Sequence, residues 1–133
     1  KEVVEYMIRE YAAGRTPNPD VMCNRHIKFG IFLEKALEAG ADFIATGHYV
    51  LKHETRSIKR NASRLMLHAA RDVNKDQSYF LWTLTQKQLK HCLFPLGEYA
   101  KPEVRKLAKK FGLPTAEKPD SQGICFIGVV GMS

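Results

Sequence analysis

Cysteine is scarce in this chain of 133 residues, whose three cysteines are Cys23, Cys92 and Cys125. Three is too few, and odd in number, for a disulfide-stabilised framework, and no CxxC pair is present to bind zinc. We therefore expect no structural metal and a reducing compartment. No run approaches the roughly 18 consecutive apolar residues that a membrane helix needs, and the first residues lack the apolar centre of a signal peptide. These absences predict a cytoplasmic protein without a membrane partner.

The composition is that of an ordinary globular protein, with 44% hydrophobic and 26% charged residues. A chain of this length is expected to form one compact domain. The 21 lysines and arginines outnumber the 14 acidic residues, so the net charge is +7, which favours a polyanionic partner such as RNA or a nucleotide. Basic residues concentrate in two runs, Lys52 to Arg64 and Lys101 to Lys118. Such runs either neutralise RNA phosphates or form solvated surfaces.

Hydrophobic patterning in the first part of the chain changes from helix to strand. Apolar residues at helical spacing predict one helix over residues 3–11 and a second over residues 27–37, each followed by a glycine that ends it. Between them, residues 15–20 contain two prolines that predict a rigid loop. Cys23 then lies near the beginning of the second helix. The apolar run 43–46 predicts a buried parallel strand, which indicates the α/β fold class.

The second half of the chain has weaker patterning. The segment around residues 51–64 is typical of a β-hairpin with a basic tip, and we expect this tip to be mobile. Thr85 and Gln88 have the spacing of a capping box, which predicts a short helix that continues through Cys92. Pro102 suits the first turn of a last helix.

The three cysteines differ in their surroundings. Near a helix N-terminus, Cys23 would have a lowered pKa and a reactive thiolate, although a buried cysteine that fills space between loop and helix is an equally good interpretation. Cys125 lies in the segment DSQGICFIG, whose glycines and apolar residues favour a held but accessible sulfur. A core strand cysteine would fit that pattern as well. For Cys92 we expect packing in or near the core.

Five strings of the sequence occur in an order that resembles a known family. They are GRTPNPDVMCNRHIKF, ATGHY, NKDQSYFLWTL, LFPLGEYAKPEVRKLA and DSQGICFIG. Together they closely resemble the tRNA-specific 2-thiouridylase family, whose members use ATP to activate C2 of the wobble uridine in tRNA and replace its oxygen with sulfur. The resemblance implies the second half of a PP-loop ATP pyrophosphatase (adenine nucleotide alpha hydrolase-like) domain, with a partial parallel sheet flanked by helices.

The resemblance also implies roles for two cysteines. Cys125 would carry the incoming sulfur as a persulfide. Cys23 would be the nucleophile that attacks it and releases the sulfur, leaving a Cys23–Cys125 disulfide. Their Cα atoms must then come within about 7 Å, which would require a loop rearrangement. The implied cofactor is ATP with Mg, and the implied partners are tRNA and a sulfur-relay donor protein.

The remaining roles implied by the family pattern concern binding. The segment of Asn18, Pro19 and Asp20 would contact the target base, which must be flipped out before C2 is reached. Asp20 could serve there as an acid or base near the uridine, and from its residue type it is at least as well suited to an Asx-turn or a helix cap. Gly47 would let ATP approach the backbone at the end of a strand.

The residues that would contact tRNA in the family pattern are His48, Lys75, Asp76 and Gln77. Lys75 is suited to a phosphate group. A structural histidine is the simpler interpretation of His48, and the other three residues would otherwise only begin a helix at Ser78.

One departure from the family concerns ATP. The glycine- and serine-rich loop SGGxDS, which cradles the ATP phosphates, does not occur in residues 1–133, and neither do the family's β-rich tRNA-binding domains. We therefore expect an internal fragment, the C-terminal half of the catalytic domain, that is inactive alone. The alternatives are a non-catalytic RNA-binding or thiol-redox module without an ATP site, and a pyrophosphatase acting on a small molecule. An upstream SGGxDS string would favour the enzyme over the module.

Overall fold

The computed structural model describes residues 2–57 and 62–119. Helix α1 (Glu2–Ala12) is amphipathic and buries one face. The chain leaves this helix at Gly14, whose φ of +69° is the left-handed conformation that commonly stops a helix. The first predicted helix is therefore confirmed.

A second helical run has three parts, which are α2 (Pro19–Cys23), a π-helix (Asn24–Phe32) and α3 (Leu33–Glu38). The run begins at Pro19 because Asn18 caps it. The Asn18 Oδ1 accepts a hydrogen bond of 3.2 Å from the Val21 amide. Pro19, at the first helical position, has no amide proton that would need a partner. The helix thus starts earlier than its apolar pattern indicates.

The π-helix is long for its type, since i→i+5 helices are usually single turns and are frequent at functional sites. Where the hydrogen-bond spacing changes from that of a π-helix to that of an α-helix, a backbone carbonyl can lose the amide that would otherwise donate to it. The Phe29 carbonyl, inside the π-helix, accepts a hydrogen bond of 2.7 Å from the Gln88 Nε2. At Gly30 a β-carbon would lie 3.0 Å from the Arg25 carbonyl oxygen, which is tighter than most side chains accept.

Four strands form two small sheets, in which β1 (Ile44–Ala45) pairs in parallel with β4 (Cys92–Leu93), and β2 (Val50–Ser57) pairs antiparallel with β3 (Ala62–Ala69). The parallel pair confirms a strand within residues 43–46, but the expectation that this run is buried holds only for Ile44, since Phe43 and Ala45 are exposed. Together with the helices that flank it, the pair confirms the α/β class with a partial parallel sheet.

Helix α4 (Gln86–Lys90) begins with the predicted capping box of Thr85 and Gln88, but the prediction that it continues through Cys92 is wrong. The helix ends before that residue, and Cys92 pairs with Ile44 in the sheet. Strand pairing supplies the backbone hydrogen bonds that another helical turn would have supplied, so tertiary contact overrides the local pattern. The expected core position is confirmed, because Cys92 is 0% exposed.

The antiparallel pair confirms the predicted hairpin. Its expected mobile tip includes residues 58–61, which lie outside the described residues. At the base of the hairpin, Gly97 passes close to the strand: a β-carbon there would lie 2.7 Å from the carbonyl carbon of Val50. Only glycine fits this approach without a shift of the backbone.

A 3-10 helix (Ser78–Phe80) and helix α5 (Lys101–Lys110) complete the described elements. Pro102 lies in the first turn of α5, as predicted. The start of this helix is fixed from outside, because the Asp72 Oδ2 accepts a hydrogen bond of 2.9 Å from the Lys101 amide. A carboxylate at a helix N-terminus also interacts favourably with the helix dipole.

One apolar cluster joins the helical run, the hairpin and the parallel sheet. It consists of Phe29, Leu33, Ile44, Val50, Leu81 and Cys92. Because strand β1 contributes to this cluster, the loop that follows the strand starts from a fixed position. Within the described residues, no helix has the length and apolar character needed to cross a bilayer.

Candidate functional site

Two neighbouring cavities open where strand β1 ends. The lysine cavity has a volume of about 390 Å³, and the residues used below from its lining are Gly47, Tyr49, Lys75, Gln77, Lys101 and Lys118. The histidine cavity, also of about 390 Å³, is lined by Lys28, Phe32, Thr46, Gly47, His48 and Gln77. Gly47 and Gln77 line both cavities, so the two form one candidate site. Its place beyond the carboxyl end of a parallel strand is where α/β proteins commonly bind ligands.

The structure around Gly47 leaves room for a side chain, so it does not require a glycine at this position. A β-carbon at this position would meet only the Leu96 Cδ1 within 4 Å, at an ordinary contact distance of 3.8 Å. The absence of a side chain therefore leaves space at the junction of the two cavities. This is the arrangement that a close approach of a ligand to the backbone needs.

Gln77 is held at the site by Tyr49, the residue before strand β2. Its backbone amide donates to the Tyr49 carbonyl at 2.9 Å, and its side-chain Oε1 accepts from the Tyr49 amide at 3.0 Å. These two bonds join segments 28 positions apart. They bring the predicted tRNA-contacting segment beside Gly47, which the sequence places in a different motif.

Asp76 uses its carboxylate within the fold. One oxygen accepts from the Ala70 amide at 2.8 Å and the other from the Ser78 hydroxyl at 2.7 Å. Partial burial by itself would raise the pKa of Asp76, but these hydrogen bonds outweigh burial and lower the pKa below its usual value. The residue therefore stabilises the turn that carries its neighbours Lys75 and Gln77.

His48 lines the histidine cavity but is itself only 6% exposed. Burial, and then the charge of Lys28, lower the pKa of its imidazole to about 4. Its Nδ1 lies 3.0 Å from the Thr46 hydroxyl, and its ring packs 5.7 Å from that of Phe29. At neutral pH this ring is uncharged, so it offers a ligand stacking or a neutral hydrogen bond rather than a positive charge.

Cys23 is buried, with 6% of its surface exposed. It is the last residue of α2 and follows the capped N-terminus by more than one turn. The helix dipole acts mainly within the first turn, so Cys23 lies beyond the free amides near which the sequence analysis placed it. The structure favours the interpretation of Cys23 as a packed residue in the conformation described.

The predicted base-contacting segment lies at the start of the same helix. Asn18 is the helix cap and Pro19 is buried, so the alternative of Asp20 as the cap is wrong. Residues 18–23 are not among the described residues that line the two cavities. The structure thus brings Gly47, His48, Lys75 and Gln77 together in the lining of two adjoining cavities.

Cys125 and the rest of the segment DSQGICFIG lie outside the described residues. Lys28 and Tyr49 line the site and Asn24 follows Cys23, and none of the three was singled out from the sequence. The Asn24 side chain is 3% exposed and its Oδ1 has no hydrogen-bond partner, a costly state for a buried polar atom. Its position next to Cys23, inside the first of the quoted strings, was the available signal.

The sequence model of one protein family, described as the tRNA methyl transferase HUP domain, matches residues 1–129. The chain belongs to this family. The match covers almost the whole chain, including both cavities and the helical run that carries Cys23. It confirms the fold class expected from the sequence.

Individual relatives agree with the resemblance. The tRNA-specific 2-thiouridylase MnmA of Flavobacterium johnsoniae is 55% identical over 130 residues, which are 98% of this chain and 32% of that protein. Proteins of the same name from Lactococcus lactis and Thiobacillus denitrificans are 60% and 57% identical over 95% and 96% of the chain. The resemblance to the 2-thiouridylase family is thereby confirmed. The chain spans about a third of the length of these relatives.

Proposed function

We propose that this chain is part of a tRNA 2-thiouridylase, an enzyme that converts the wobble uridine of tRNA to 2-thiouridine in the cytoplasm. The observation that carries the proposal is the meeting of two separate motifs at one place. Gly47, proposed for ATP, and the segment 75–77, proposed for tRNA, line the same cavities. A reaction between a nucleotide and an RNA base needs its two binding sites to adjoin in this way.

The proposed chemistry has two stages. In the first, the uridine O2 attacks the α-phosphate of ATP, a bond to AMP forms, and pyrophosphate leaves. This step converts a poor leaving group into a good one. In the second, the terminal sulfur of a Cys125 persulfide forms a bond to C2. The thiolate of Cys23 then attacks the Cys125 sulfur, the S–S bond of the persulfide breaks, its electron pair stays on the sulfur at C2, and AMP departs.

The products of this route are 2-thiouridine, AMP and a Cys23–Cys125 disulfide. A thiol reductant must reduce the disulfide before the next turnover, and a sulfur-relay donor protein must reload Cys125. The residues of this chain provide part of an ATP site, with space at Gly47 and ammonium groups nearby. The SGGxDS loop, which would bind most of the ATP phosphates with Mg, is proposed to belong to the preceding part of the protein.

Burial of Cys23 has a consequence for the mechanism. A thiol with 6% of its surface exposed meets a second sulfur only if that sulfur packs against it or its surroundings rearrange, so we propose that tRNA binding at Asn18, Pro19 and Asp20 controls the access to Cys23. A π-helix begins directly after Cys23, and π-type turns are frequent at functional sites.

The surroundings of Cys92 support the choice of the other two cysteines. Burial raises the pKa of the Cys92 thiol to about 11, and the nearby Lys52 only partly offsets this effect. The thiolate is therefore almost absent at neutral pH, and Cys92 is 0% exposed. A thiol in this state is a poor nucleophile.

The test is complementation of a bacterial strain that lacks its own thiouridylase. The full-length gene product and its variants Cys23→Ser, Cys125→Ser and Cys92→Ser are expressed, and 2-thiouridine is measured in total tRNA by nucleoside mass spectrometry. We expect wild type and Cys92→Ser to restore 2-thiouridine and the other two variants to give none. Wild-type thiolation in Cys23→Ser or Cys125→Ser would refute the proposed cysteine pair.

The same measurement separates the other functions. A tRNA methyltransferase, the activity in the family description, would give a methylated nucleoside instead of 2-thiouridine. A non-catalytic RNA-binding or thiol-redox module would leave the tRNA of the deletion strain unmodified even when the wild-type protein is expressed and binds tRNA.

A further inference from the structure

We propose that the lysine cavity is a binding site for phosphate groups, in which Lys101 and Lys118 act together with Lys75. The inference rests on the proposed function, because both ATP and tRNA bring phosphates to this site. It adds Lys101 and Lys118, the two ends of the second basic run, for which the family pattern implies no specific contact. The chemistry recognised is a phosphate oxygen, whether it comes from a nucleotide or from the RNA backbone.

Charge is the first argument. Three lysines from three separate segments line one cavity: Lys75 after the hairpin, Lys101 at the start of α5, and Lys118 beyond its end. None of the described residues that line this cavity is acidic. Three lysines that line one cavity give it a positive potential, which attracts a polyanion.

Fixed positions are the second argument. The Lys101 backbone is anchored by its amide hydrogen bond of 2.9 Å to the Asp72 carboxylate, and its Nζ lies 5.6 Å from the centroid of the Tyr49 ring. Tyr49 is in turn bonded to Gln77. A lysine whose stem and backbone are both held loses less conformational freedom when it binds a phosphate than a surface lysine does.

Shape is the third argument. The cavity volume of about 390 Å³ lies within the range of small-molecule sites, and it accommodates a phosphate group together with part of its nucleoside. Gly47 contributes no side chain at the inner edge, and the amide of Gln77 is held beside it. A phosphate seated here would lie at the junction with the histidine cavity, next to the uncharged ring of His48.

The experiment uses the full-length protein with four lysine substitutions. Lys101→Met and Lys118→Met remove the charge but keep an unbranched apolar stem, and Lys101→Arg keeps the charge. Lys90→Met is the matched control, because Lys90 is exposed on α4 and is not among the lining residues of either cavity. Affinities for ATP and for unmodified tRNA are titrated separately at several salt concentrations, and melting temperatures are recorded for every variant.

We expect Lys101→Met and Lys118→Met each to weaken the affinity for one of the two ligands about tenfold. The affinities of Lys101→Arg and Lys90→Met should stay within about twofold of wild type. A loss confined to ATP identifies a nucleotide phosphate. A loss confined to tRNA, with a salt slope reduced by about one for each lysine removed, identifies the RNA backbone.

Two results would overturn the inference while leaving the proposed function intact. One is wild-type affinity of both methionine variants for both ligands in a protein that still forms 2-thiouridine. The other is an equal loss of affinity in Lys90→Met, because the loss would then come from the overall charge of the protein and not from the cavity. A wild-type protein that binds neither ATP nor tRNA would instead refute the proposed function, and the inference with it. If Lys101→Met lowers the melting temperature, Lys118→Met decides the outcome.

Discussion

Gln77 and Tyr49 hold each other through two hydrogen bonds, one between their backbones at 2.9 Å and one from the Tyr49 amide to the Gln77 side chain at 3.0 Å. This pairing joins the loop after the hairpin to the loop after β1. It is the contact that unites two separate sequence motifs into one site. Removing the Gln77 side chain should therefore affect both cavities, since Gln77 lines each of them.

Two glycines near this contact make a matched pair of substitutions. Gly97→Ala should lower the free energy of unfolding by about 1–3 kcal/mol or more, because the new β-carbon would overlap the Val50 backbone. Gly47→Ala should stay within about 0.5 kcal/mol of wild type, because its β-carbon meets only Leu96 at 3.8 Å. Denaturant unfolding of both variants checks this order. A larger loss for Gly47→Ala than for Gly97→Ala would contradict the geometry of both loops.

His48 should make stability depend on pH. Its pKa in the folded protein is about 4, lowered from 6.5 mainly by burial, so the unfolded chain binds the proton more readily between these values. The contribution is fully present above about pH 6.5 and is lost as the pH falls towards 4, by about 2–3 kcal/mol in total.

The measurement is the free energy of unfolding of wild type and His48→Gln from pH 7 to pH 4, with His53→Gln as the control at an exposed histidine. The difference between wild type and His48→Gln should shrink as the pH falls, and His53→Gln should follow wild type. A constant difference for His48→Gln would mean that the imidazole is not neutral and buried in the native state.

Gln88 should be more important for stability than the neighbouring glutamine. Gln88→Leu removes the donor to the Phe29 carbonyl inside the π-helix and half of the capping box, so we expect a loss of about 1–3 kcal/mol. Gln86 bonds the backbone of Leu65 at an exposed position, where water replaces a lost partner. Gln86→Leu should therefore cost less, and equal losses in thermal unfolding would exclude the proposed role of the Phe29 contact.

Asn24 should tolerate an apolar replacement. Its Oδ1 is buried without a hydrogen-bond partner, so the Asn24→Leu variant no longer has to desolvate this atom. We expect its free energy of unfolding to equal or exceed that of wild type by up to about 1 kcal/mol. Asn18→Leu, which removes the Val21 cap, serves as the contrast and should lose about 1 kcal/mol. A clear loss of stability in Asn24→Leu would show that the amide has a partner in solution.

Local signals in the sequence were reliable where the interactions themselves are local. The capping box of Thr85 and Gln88 formed as predicted, and the helix around Pro102 formed where its proline indicated. The hairpin was recognised from alternating residues. Cys92 was assigned to a helix because the apolar residues around it fit a helix as well as a strand. Only its pairing with Ile44 distinguishes the two elements.

The sequence by itself determined the family, the α/β class and the residues that carry the proposed chemistry, because motif spelling and short-range patterns are properties of contiguous residues. Tertiary structure decided what depends on distant contacts: that Gly47 and Gln77 share two cavities, that Lys101 and Lys118 join Lys75, that His48 is neutral, and that Cys23 is covered. Burial and long-range pairing set these properties, and neither is encoded in any single stretch of the chain.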